Sequence, residues 1–458
     1  MNPAGLARAQ LTLFFFGMPT ASPHFHTPAG TIIGQRDGAV VRASGIRYAR
    51  AARFQPPVDE PASEVPLQAT APGPVCPQVV DSLLSQALGP ALAGRTYDED
   101  CLRLTVTTPA DAQSQDNLPV IVWVHGGSYV SGAGDLAFYD PTTFVTEQRV
   151  VVVAVTYRLG LFGFLGRSDT PPNLGLLDLM GALRWVQRNI TAFGGNPACV
   201  TLLGHSSGGD AAAHLLVAED AAGLFRRLIL HSAPLGLAPN RARMTRAMAA
   251  AVNSIPADAS HEDVLGYEAT AWRAARWSGL KAGMPFGTQY GAYPLPPEKA
   301  IAQAWRAAAP AIDVLIGATA EELRFFAVID PKFRWLERLP LLGPSLTRKL
   351  VAAGSRRIYV DPAAAFARRH ARAGGRAYLF TVTYRPRGSA FGAAHTIDLP
   401  LLFGTQKTWS AVPLLGDASW AEVHQAGREV RQLWAEFART GELPTSAEVP
   451  GVLQLHRV

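Results

Sequence analysis

The stretch Cys199–Gly208, which reads CVTLLGHSSG, joins an apolar segment to a turn of small residues and decides the fold class. Residues 199–203 predict a strand, and the Ala-rich residues 207–217 predict the helix that follows. A Gly-X-Ser-X-Gly turn between a strand and a helix is tight, and it exposes a serine hydroxyl at the top of a sheet. The stretch therefore predicts Ser206 as a nucleophile, whereas an ordinary N-cap serine is the alternative interpretation.

The rest of the chain alternates apolar runs with helical patterns. Five more continuous apolar runs predict strands buried on both faces: residues 118–124, 150–156, 227–231, 312–316 and 377–382. Four more stretches have helical spacing: residues 174–190, 241–252, 261–277 and 420–440. Alternation of this kind predicts an α/β fold with a central, mostly parallel sheet flanked by helices.

Composition excludes several classes of protein. Of 458 residues, 48% are hydrophobic and 17% are charged, which is a globular rather than a disordered composition. The excess of 42 basic over 36 acidic residues is mild and is not gathered in a basic run. We therefore expect no nucleic-acid partner.

The N-terminus is predicted to be irregular over residues 1–28, and residues 29–458 are predicted to form a single domain. The apolar residues 11–18, which follow Arg8, faintly resemble a secretory signal, and a frayed terminus is the alternative. They are too short to span a membrane, so we expect no membrane span. The compartment stays open between cytoplasmic and exported.

Three cysteines, Cys76, Cys101 and Cys199, cannot form a disulfide-rich scaffold. A Cys76–Cys101 pair would close a loop of 26 residues. We find no spacing typical of a metal site, and we interpret His24 and His26 as loop residues rather than ligands. The sequence therefore implies no metal and no organic cofactor.

A serine nucleophile needs a histidine base, and His395 is the best candidate. In a fold of this kind the chain order is serine, acid, histidine. His395 lies in a small-residue loop after the strand predicted at 377–382. By contrast, His370 lies in a charged stretch that we interpret as a solvated helix face, His424 lies inside the last helix, and His456 is two residues from the end.

The acid that orients the base should follow the strand predicted at 312–316. Glu321 and Glu322 both lie there, and two adjacent side chains cannot both face one imidazole. The residues alone leave the choice between them open. Asp313 lies within the strand and Asp398 follows His395 too closely, so both rank lower.

Stabilisation of a tetrahedral intermediate needs backbone N–H donors. His125-Gly126-Gly127-Ser128 follows the strand predicted at 118–124, and glycines let the backbone approach a substrate oxygen. Together with the N–H of Ser207, this turn predicts an oxyanion hole. A plain turn is the alternative interpretation.

Several ordered strings extend this pattern along most of the chain. They are GIRYA (45–49), EDCLRL (99–104), WVHGGSY (123–129), TYRLGLFGFL (156–165) and NLGLLDLMGALRWVQRNITAFGGNP (173–197). With the GHSSG turn, they resemble the type-B carboxylesterases of the α/β-hydrolase superfamily, which include p-nitrobenzyl esterases and cholinesterases. The resemblance implies roles for six residues and one disulfide: Ser206 as nucleophile, His395 as base, Glu322 as acid, Gly127, Ser128 and Ser207 as oxyanion donors, and a Cys76–Cys101 bond.

The chain departs from the family pattern at several points. Ser128 replaces the third glycine of the oxyanion loop, Leu323 replaces the glycine after the acid, and His205 replaces the usual glutamate before the nucleophile. The last change predicts that a buried carboxylate beside the base is missing. Only 73 residues separate Glu322 from His395, which predicts a reduced helical cap and a more open site. The loop between the two cysteines has no tryptophan, which argues against quaternary-ammonium esters.

These observations predict a serine hydrolase that cleaves small-molecule carboxylic esters through an acyl-enzyme. A lipase acting on longer-chain lipid esters is one alternative. A non-catalytic, esterase-like binding protein is another, although this chain keeps all three triad residue types. The acyl and alcohol groups and the oligomeric state are left open.

Overall fold

The computed structural model describes residues 22–79, 82–256, 258–340 and 342–458, with backbone only for 82–84. The described residues form sixteen strands, labelled β1 to β16 in chain order. They are β1 His24–Thr27, β2 Gly30–Ile33, β3 Gln35–Asp37, β4 Val40–Arg47, β5 Ala49–Arg50, β6 Val58–Asp59, β7 Leu67–Gln68, β8 Arg103–Pro109, β9 Leu118–Val124, β10 Val151–Val155, β11 Gly195–His205, β12 Arg227–His231, β13 Asp313–Thr319, β14 Ala377–Val382, β15 Ser446–Val449 and β16 Leu453–Arg457.

Eleven of these strands form one sheet in the order β15-β16-β14-β13-β12-β11-β9-β10-β8-β4-β3. The six central strands from β14 to β10 are parallel to their neighbours. The flanking pairs on both sides are antiparallel. The predicted α/β fold with a central, mostly parallel sheet is confirmed, and antiparallel strands at both edges make the whole sheet mixed.

Fifteen α-helices lie in the described ranges. They are α1 Ser82–Leu88, α2 Thr142–Gln148, α3 Gly160–Gly163, α4 Leu174–Asn189, α5 Ser207–Leu215, α6 Ala242–Ala251, α7 His261–Ala275, α8 Glu298–Ala308, α9 Arg324–Ile329, α10 Pro331–Glu337, α11 Gly343–Ser355, α12 Asp361–Arg372, α13 Leu399–Leu402, α14 Gln406–Trp409 and α15 Trp420–Thr440. A π-helical turn, Arg356–Val360, joins α11 to α12.

Helices cover both faces of the sheet because the central strands are apolar on both faces. Along β9, Val122 and Val124 pack into one core, which includes residues of α4, α5 and α12. Ile121 and Trp123 point the other way, into a second core that includes residues of α2 and α15. Burial on both faces explains why these strands read as continuous apolar runs rather than alternating ones.

Part of the segment between β13 and β14 forms a helical cap, which we define as residues 324–360. It contains α9 to α11 and the π-helical turn and lies on the side of the sheet where the parallel strands end. The reduced size of this cap stays a prediction.

The N-terminal segment differs from the sequence-based expectation. Residues 1–21, including the signal-like residues 11–18, lie outside the described residues. Residues 22–28 are not irregular throughout, because His24–Thr27 forms β1 and pairs antiparallel with β2. Within the described ranges, no helix is long and apolar enough to cross a membrane.

Candidate active site

The turn from β11 to α5 holds Ser206 in a strained backbone conformation, with φ 56° and ψ −126°. A side chain at Gly204 would bring its Cβ within 2.4 Å of the carbonyl oxygen of Gly208, so the turn needs glycine there. Ser206 is 8% exposed and lines a cavity under the cap. The predicted strand–turn–helix unit is confirmed, and its geometry directs the Ser206 hydroxyl out of the sheet.

Three of the predicted site residues form a continuous hydrogen-bonded line. Ser206 Oγ lies 3.0 Å from His395 Nε2, and His395 Nδ1 lies 2.5 Å from Glu322 Oε2. Because a carboxylate only accepts hydrogen bonds, Nδ1 donates to Glu322 and Nε2 is left to accept from the serine hydroxyl. The other oxygen, Glu322 Oε1, accepts from Ser232 Oγ at 2.6 Å and from the Thr319 N–H at 2.7 Å. These two donors fix the buried carboxylate in its orientation.

The two adjacent glutamates that the sequence left open point in opposite directions. Glu321 Oε2 accepts hydrogen bonds from Arg385 Nη1 at 2.5 Å and from the Ala393 N–H at 3.2 Å. Its side chain is partly exposed, whereas that of Glu322 is fully buried. Glu321 therefore pairs with an arginine near the surface, and Glu322 faces the imidazole.

The turn after β9, which the sequence predicts as an oxyanion loop, lies next to Ser206, because a Cβ at Gly126 would be 2.9 Å from the Ser206 Cβ. Gly127 and Ser128 both have positive φ, 113° and 56°. A Cβ at Gly127 would lie 2.0 Å from the Ser131 carbonyl oxygen, so this position needs glycine. In the part of the chain that the structure describes, nothing accepts a hydrogen bond from the N–H of Gly127 or Ser128. Ser207 is the first residue of α5, where an N–H has no acceptor within the helix.

A buried histidine fixes the start of this loop. His125 Nδ1 lies 2.7 Å from the Gly126 carbonyl oxygen and donates to it. Burial lowers the pKa of His125 to about 4, so the ring is neutral at physiological pH. Tyr157 Oη donates to the carbonyl oxygen of His125 at 2.8 Å and holds the same segment from below.

A second set of polar groups supports the oxyanion loop and was missed in the sequence. Ser207 Oγ accepts a hydrogen bond from the Tyr129 N–H at 3.2 Å. Tyr129 Oη donates to Asp210 Oδ2 at 2.6 Å, so side chains on the first turn of α5 hold the loop at two points. Asp210 is buried on α5, the helix that follows Ser206. Only its position four residues after Ser206 could have suggested that it holds the loop.

Position 205 holds a buried histidine where the family usually has a glutamate, and this histidine contacts a buried aspartate. Asp398 Oδ1 lies 3.5 Å from His205 Nε2, and Asp398 Oδ2 lies 2.5 Å from His231 Nδ1. The His205 ring is 4.9 Å from the His395 ring, measured between centroids. Although burial alone would raise the pKa of Asp398, its contacts with His205 and His231 hold that pKa well below its usual range. Asp398 therefore pairs with His205 and His231, and its position three residues after His395 concealed this in the sequence.

The lower-ranked candidates lie elsewhere. His370 is buried rather than solvated, and its Nε2 lies 2.8 Å from the Ile312 carbonyl oxygen. His424 is on α15, His456 is on β16, and Asp313 begins β13 at the opposite end from Glu322. Across the described ranges, no group of three or more His, Cys, Asp or Glu side chains could hold a metal ion.

Cys76 and Cys101 lie together in the core as free thiols, so the disulfide implied by the resemblance is not formed in this structure. A hydrogen bond with Cys76, together with burial, raises the pKa of the Cys101 thiol well above its ordinary value. Cys76 Sγ also accepts a hydrogen bond from the Leu159 N–H at 3.3 Å. The Cys101 thiol is therefore protonated at physiological pH, and both residues are sealed from solvent.

The cavity in front of Ser206 has a volume of about 330 Å³. Its described lining contains no Lys, Arg, Asp or Glu side chain. The apolar lining residues come from the cap, from α1 and its following loop, and from the segments after β9 and β12. They include Leu88, Leu92, Leu136, Leu237, Met284, Leu323, Phe325, Phe326, Phe333, Ile358 and Tyr359. Such a cavity suits an apolar ligand without charge.

Comparisons with known proteins agree with this geometry. The sequence model of the carboxylesterase family matches residues 21–338. A probable N-octanoylanthranilate hydrolase, AqdA2 of Rhodococcus erythropolis, is 38% identical over 431 residues, covering 92% of this chain and 93% of that protein. Para-nitrobenzyl esterase of Bacillus subtilis strain 168 is 33% identical over 456 residues, covering 92% of this chain and 90% of that protein.

Solved structures share the whole fold. A thermophilic PNB esterase superposes with a TM-score of 0.76 at 28% identity, covering 95% of this chain and 98% of that chain. Carboxylesterase EST55 of Geobacillus stearothermophilus gives a TM-score of 0.72 at 28% identity, covering 93% of this chain and 92% of that chain. The chain therefore belongs to the carboxylesterase family, has the α/β-hydrolase fold and is a carboxylic ester hydrolase.

Proposed function

We propose that the chain hydrolyses neutral, apolar carboxylic esters of short to medium acyl length, with Ser206, His395 and Glu322 as its catalytic triad. The observation that carries the proposal is the hydrogen-bonded line of these three side chains at the floor of an uncharged cavity. A volume of about 330 Å³ is at the small end of the range for small-molecule sites, about 300–1,000 Å³. Short and medium acyl chains therefore fit better than long ones.

The reaction follows from the donors and acceptors at each atom. Ser206 Oγ attacks the ester carbonyl carbon while His395 Nε2 takes its proton, and Glu322 stabilises the imidazolium that forms. The carbonyl oxygen becomes an oxyanion and accepts from the N–H groups of Gly127, Ser128 and Ser207. His395 then protonates the leaving alcohol, which leaves an acyl-enzyme on Ser206. Water, deprotonated by the same imidazole, then attacks the acyl carbon. The bond between the acyl carbon and Ser206 Oγ breaks, His395 returns the proton to Oγ, and the carboxylic acid leaves.

The substrate class named for the Rhodococcus relative is a second candidate. N-octanoylanthranilate is an amide that carries a carboxylate. The 38% identity to that relative favours this class. The described lining has no cationic side chain to pair with the carboxylate, so the uncharged ester is the better fit.

The test is hydrolysis of p-nitrophenyl esters from acetate to palmitate by the wild type and by Ser206→Ala. We expect a maximum at short to medium chains and a loss of several orders of magnitude in Ser206→Ala. Ser114→Ala, an exposed serine in the loop after β8, is the matched control and should keep full activity. A maximum at palmitate would favour the lipase, and activity retained in Ser206→Ala would refute the triad.

An N-octanoylanthranilate assay beside this series separates the two substrate classes. Preference for the anionic amide over octanoate ester would overturn the assignment of a neutral substrate. Absence of hydrolysis on every substrate, with a folded protein, would favour a non-catalytic binding protein.

A further inference from the structure

The cap presents a row of exposed apolar side chains to solvent. Leu342, which precedes α11, and Leu346 and Leu350 on that helix are 74%, 43% and 43% exposed and are spaced four residues apart. Residues at this spacing lie on one face of a helix. Trp335, on the neighbouring α10, is 64% exposed. A contiguous apolar face of this kind is unusual on a soluble protein and marks an interaction surface.

A second exposed apolar site follows α7. Trp277 is 85% exposed, and Leu280 is 52% exposed although it also lines the cavity in front of Ser206. Phe333, two residues before Trp335 on α10, lines the same cavity. Leu280 and Phe333 therefore place both apolar sites next to residues that line the cavity. We call the six residues Trp277, Leu280, Trp335, Leu342, Leu346 and Leu350 the rim patch.

The segments that carry the rim patch are strongly basic. Residues 273–281 contain three basic and no acidic residues, and residues 331–357 contain seven basic and one acidic residue. The single acid, Glu337, lies 4.0 Å from Arg324. The Arg276 guanidinium lies 5.3 Å from the Trp277 ring centroid, so positive charge and an exposed indole occur at one point. The chain as a whole has 42 basic and 36 acidic residues, so this excess is local.

We propose that the rim patch docks the protein on an anionic lipid surface. Leucine and tryptophan side chains enter the boundary between headgroups and acyl chains, while the surrounding Lys and Arg side chains contact anionic headgroups. The opening of the cavity then faces the lipid, so that apolar molecules dissolved there reach it without crossing water. This location of the substrate rests on the proposed function. Docking on the lipid surface, by contrast, does not require catalysis.

A second copy of this chain is the other candidate occupant, and the charges disfavour it. A symmetric contact between two rim patches would bring the basic residues of one copy against those of the other. Like charges across an interface oppose association. An anionic surface, by contrast, neutralises the positive charge of the same residues.

The test is co-sedimentation of Ser206→Ala with vesicles of phosphatidylcholine alone or with 30% phosphatidylglycerol, at about 50 and 500 mM salt. The Ser206→Ala background separates docking from hydrolysis. We expect binding that rises with phosphatidylglycerol and falls with salt. Leu342→Ser/Leu346→Ser and Arg348→Glu/Lys349→Glu should each lower the bound fraction at least fivefold.

Matched controls are Val65→Ser, an exposed apolar residue away from the cap, and Arg36→Glu on β3. Both should bind vesicles like the parent. In the wild-type background, unchanged p-nitrophenyl acetate hydrolysis by the rim variants shows that they are folded. Equal binding by rim and control variants, or no binding to anionic vesicles, would overturn the proposal. So would a dimer in sedimentation velocity that Leu342→Ser/Leu346→Ser abolishes, because a second copy would then cover the patch.

Discussion

The two sides of Ser206 are built in different ways. On one side is the catalytic scaffold, by which we mean the turns after β9, β11 and β13 and the loop after β14. Buried hydrogen bonds hold the three triad side chains in place, as Ser232 and Thr319 hold Glu322. On the other side is the cap, which contributes apolar contacts and an exposed outer surface. We infer from this difference that the strand ends carry out the chemistry, whereas the cap selects the molecules that reach Ser206.

The largest expected effect separates two adjacent residues of the scaffold. Glu322→Gln should lower kcat/KM by about 10³–10⁴, since a neutral amide no longer stabilises the imidazolium of His395. Glu321→Gln should change kcat/KM only a few fold, because its carboxylate pairs with Arg385 near the surface. Steady-state kinetics on one ester measure both. Equal losses in the two variants would mean that the adjacent carboxylates share the role.

The next effect concerns the oxyanion loop. Gly127→Ala would place a Cβ 2.0 Å from the Ser131 carbonyl oxygen, at a backbone φ of 113°, so the loop must move. We expect kcat to fall by about 10²–10³, as when an oxyanion donor is lost. Gly38→Ala is the control, because it also has a positive φ but open space around it. A Gly127→Ala enzyme with normal kcat would exclude this loop from the oxyanion hole.

A change in the cap should alter substrate preference rather than chemistry. Phe333→Ala removes an apolar wall of the cavity, so kcat/KM for octanoate ester should fall about tenfold. The value for acetate ester should stay within about twofold, because a short acyl group leaves that wall unused. Trp335→Ala, on the outer surface of the same helix, is the control. If acetate and octanoate hydrolysis fell together, the division between scaffold and cap would be wrong.

A substitution of Glu268 should have the smallest effect on activity, and it should change the pH dependence of stability instead. Burial raises the pKa of this α7 residue from 4.5 to about 7, although the Leu161 N–H donates to it at 3.0 Å. The folded protein holds the proton more tightly than the unfolded chain does. Stability should therefore fall as pH rises from about 4.5 to 7, by on the order of 3 kcal/mol.

Glu268→Gln should remove this slope in urea unfolding measured at several pH values between 4.5 and 7. Glu262→Gln, an exposed residue on the same helix, should keep it. An unchanged slope in Glu268→Gln would assign the pH dependence to other groups.

The sequence predicts the central strands of the scaffold far better than the short strands at the edge of the sheet. Residues 118–124, 227–231 and 377–382 were predicted as strands at their observed bounds, because burial on both faces leaves an uninterrupted apolar run. The strands β15 and β16 were missed, since short, partly exposed strands lack such a run. The same applies to β1.

Contacts between distant segments were beyond the sequence-based reasoning. Asp398, His205 and His231 meet because β11 and β12 end side by side and the long loop after β14 brings Asp398 to their ends, and no spacing in the chain encodes that meeting. The choice between Glu321 and Glu322 needed the direction of two side chains after one strand. The resemblance named Glu322, while the residues alone did not.

The mixed sheet also has a consequence for behaviour at high concentration. Its outermost strands, β3 and β15, have only three and four residues, and β3 reads Gln-Arg-Asp with every residue exposed. Open strand edges can recruit another chain through unpaired backbone groups, but short and charged edges offer little to extend. We therefore expect resistance to edge-to-edge aggregation, so that concentrated solutions of the folded protein stay free of β-rich precipitate.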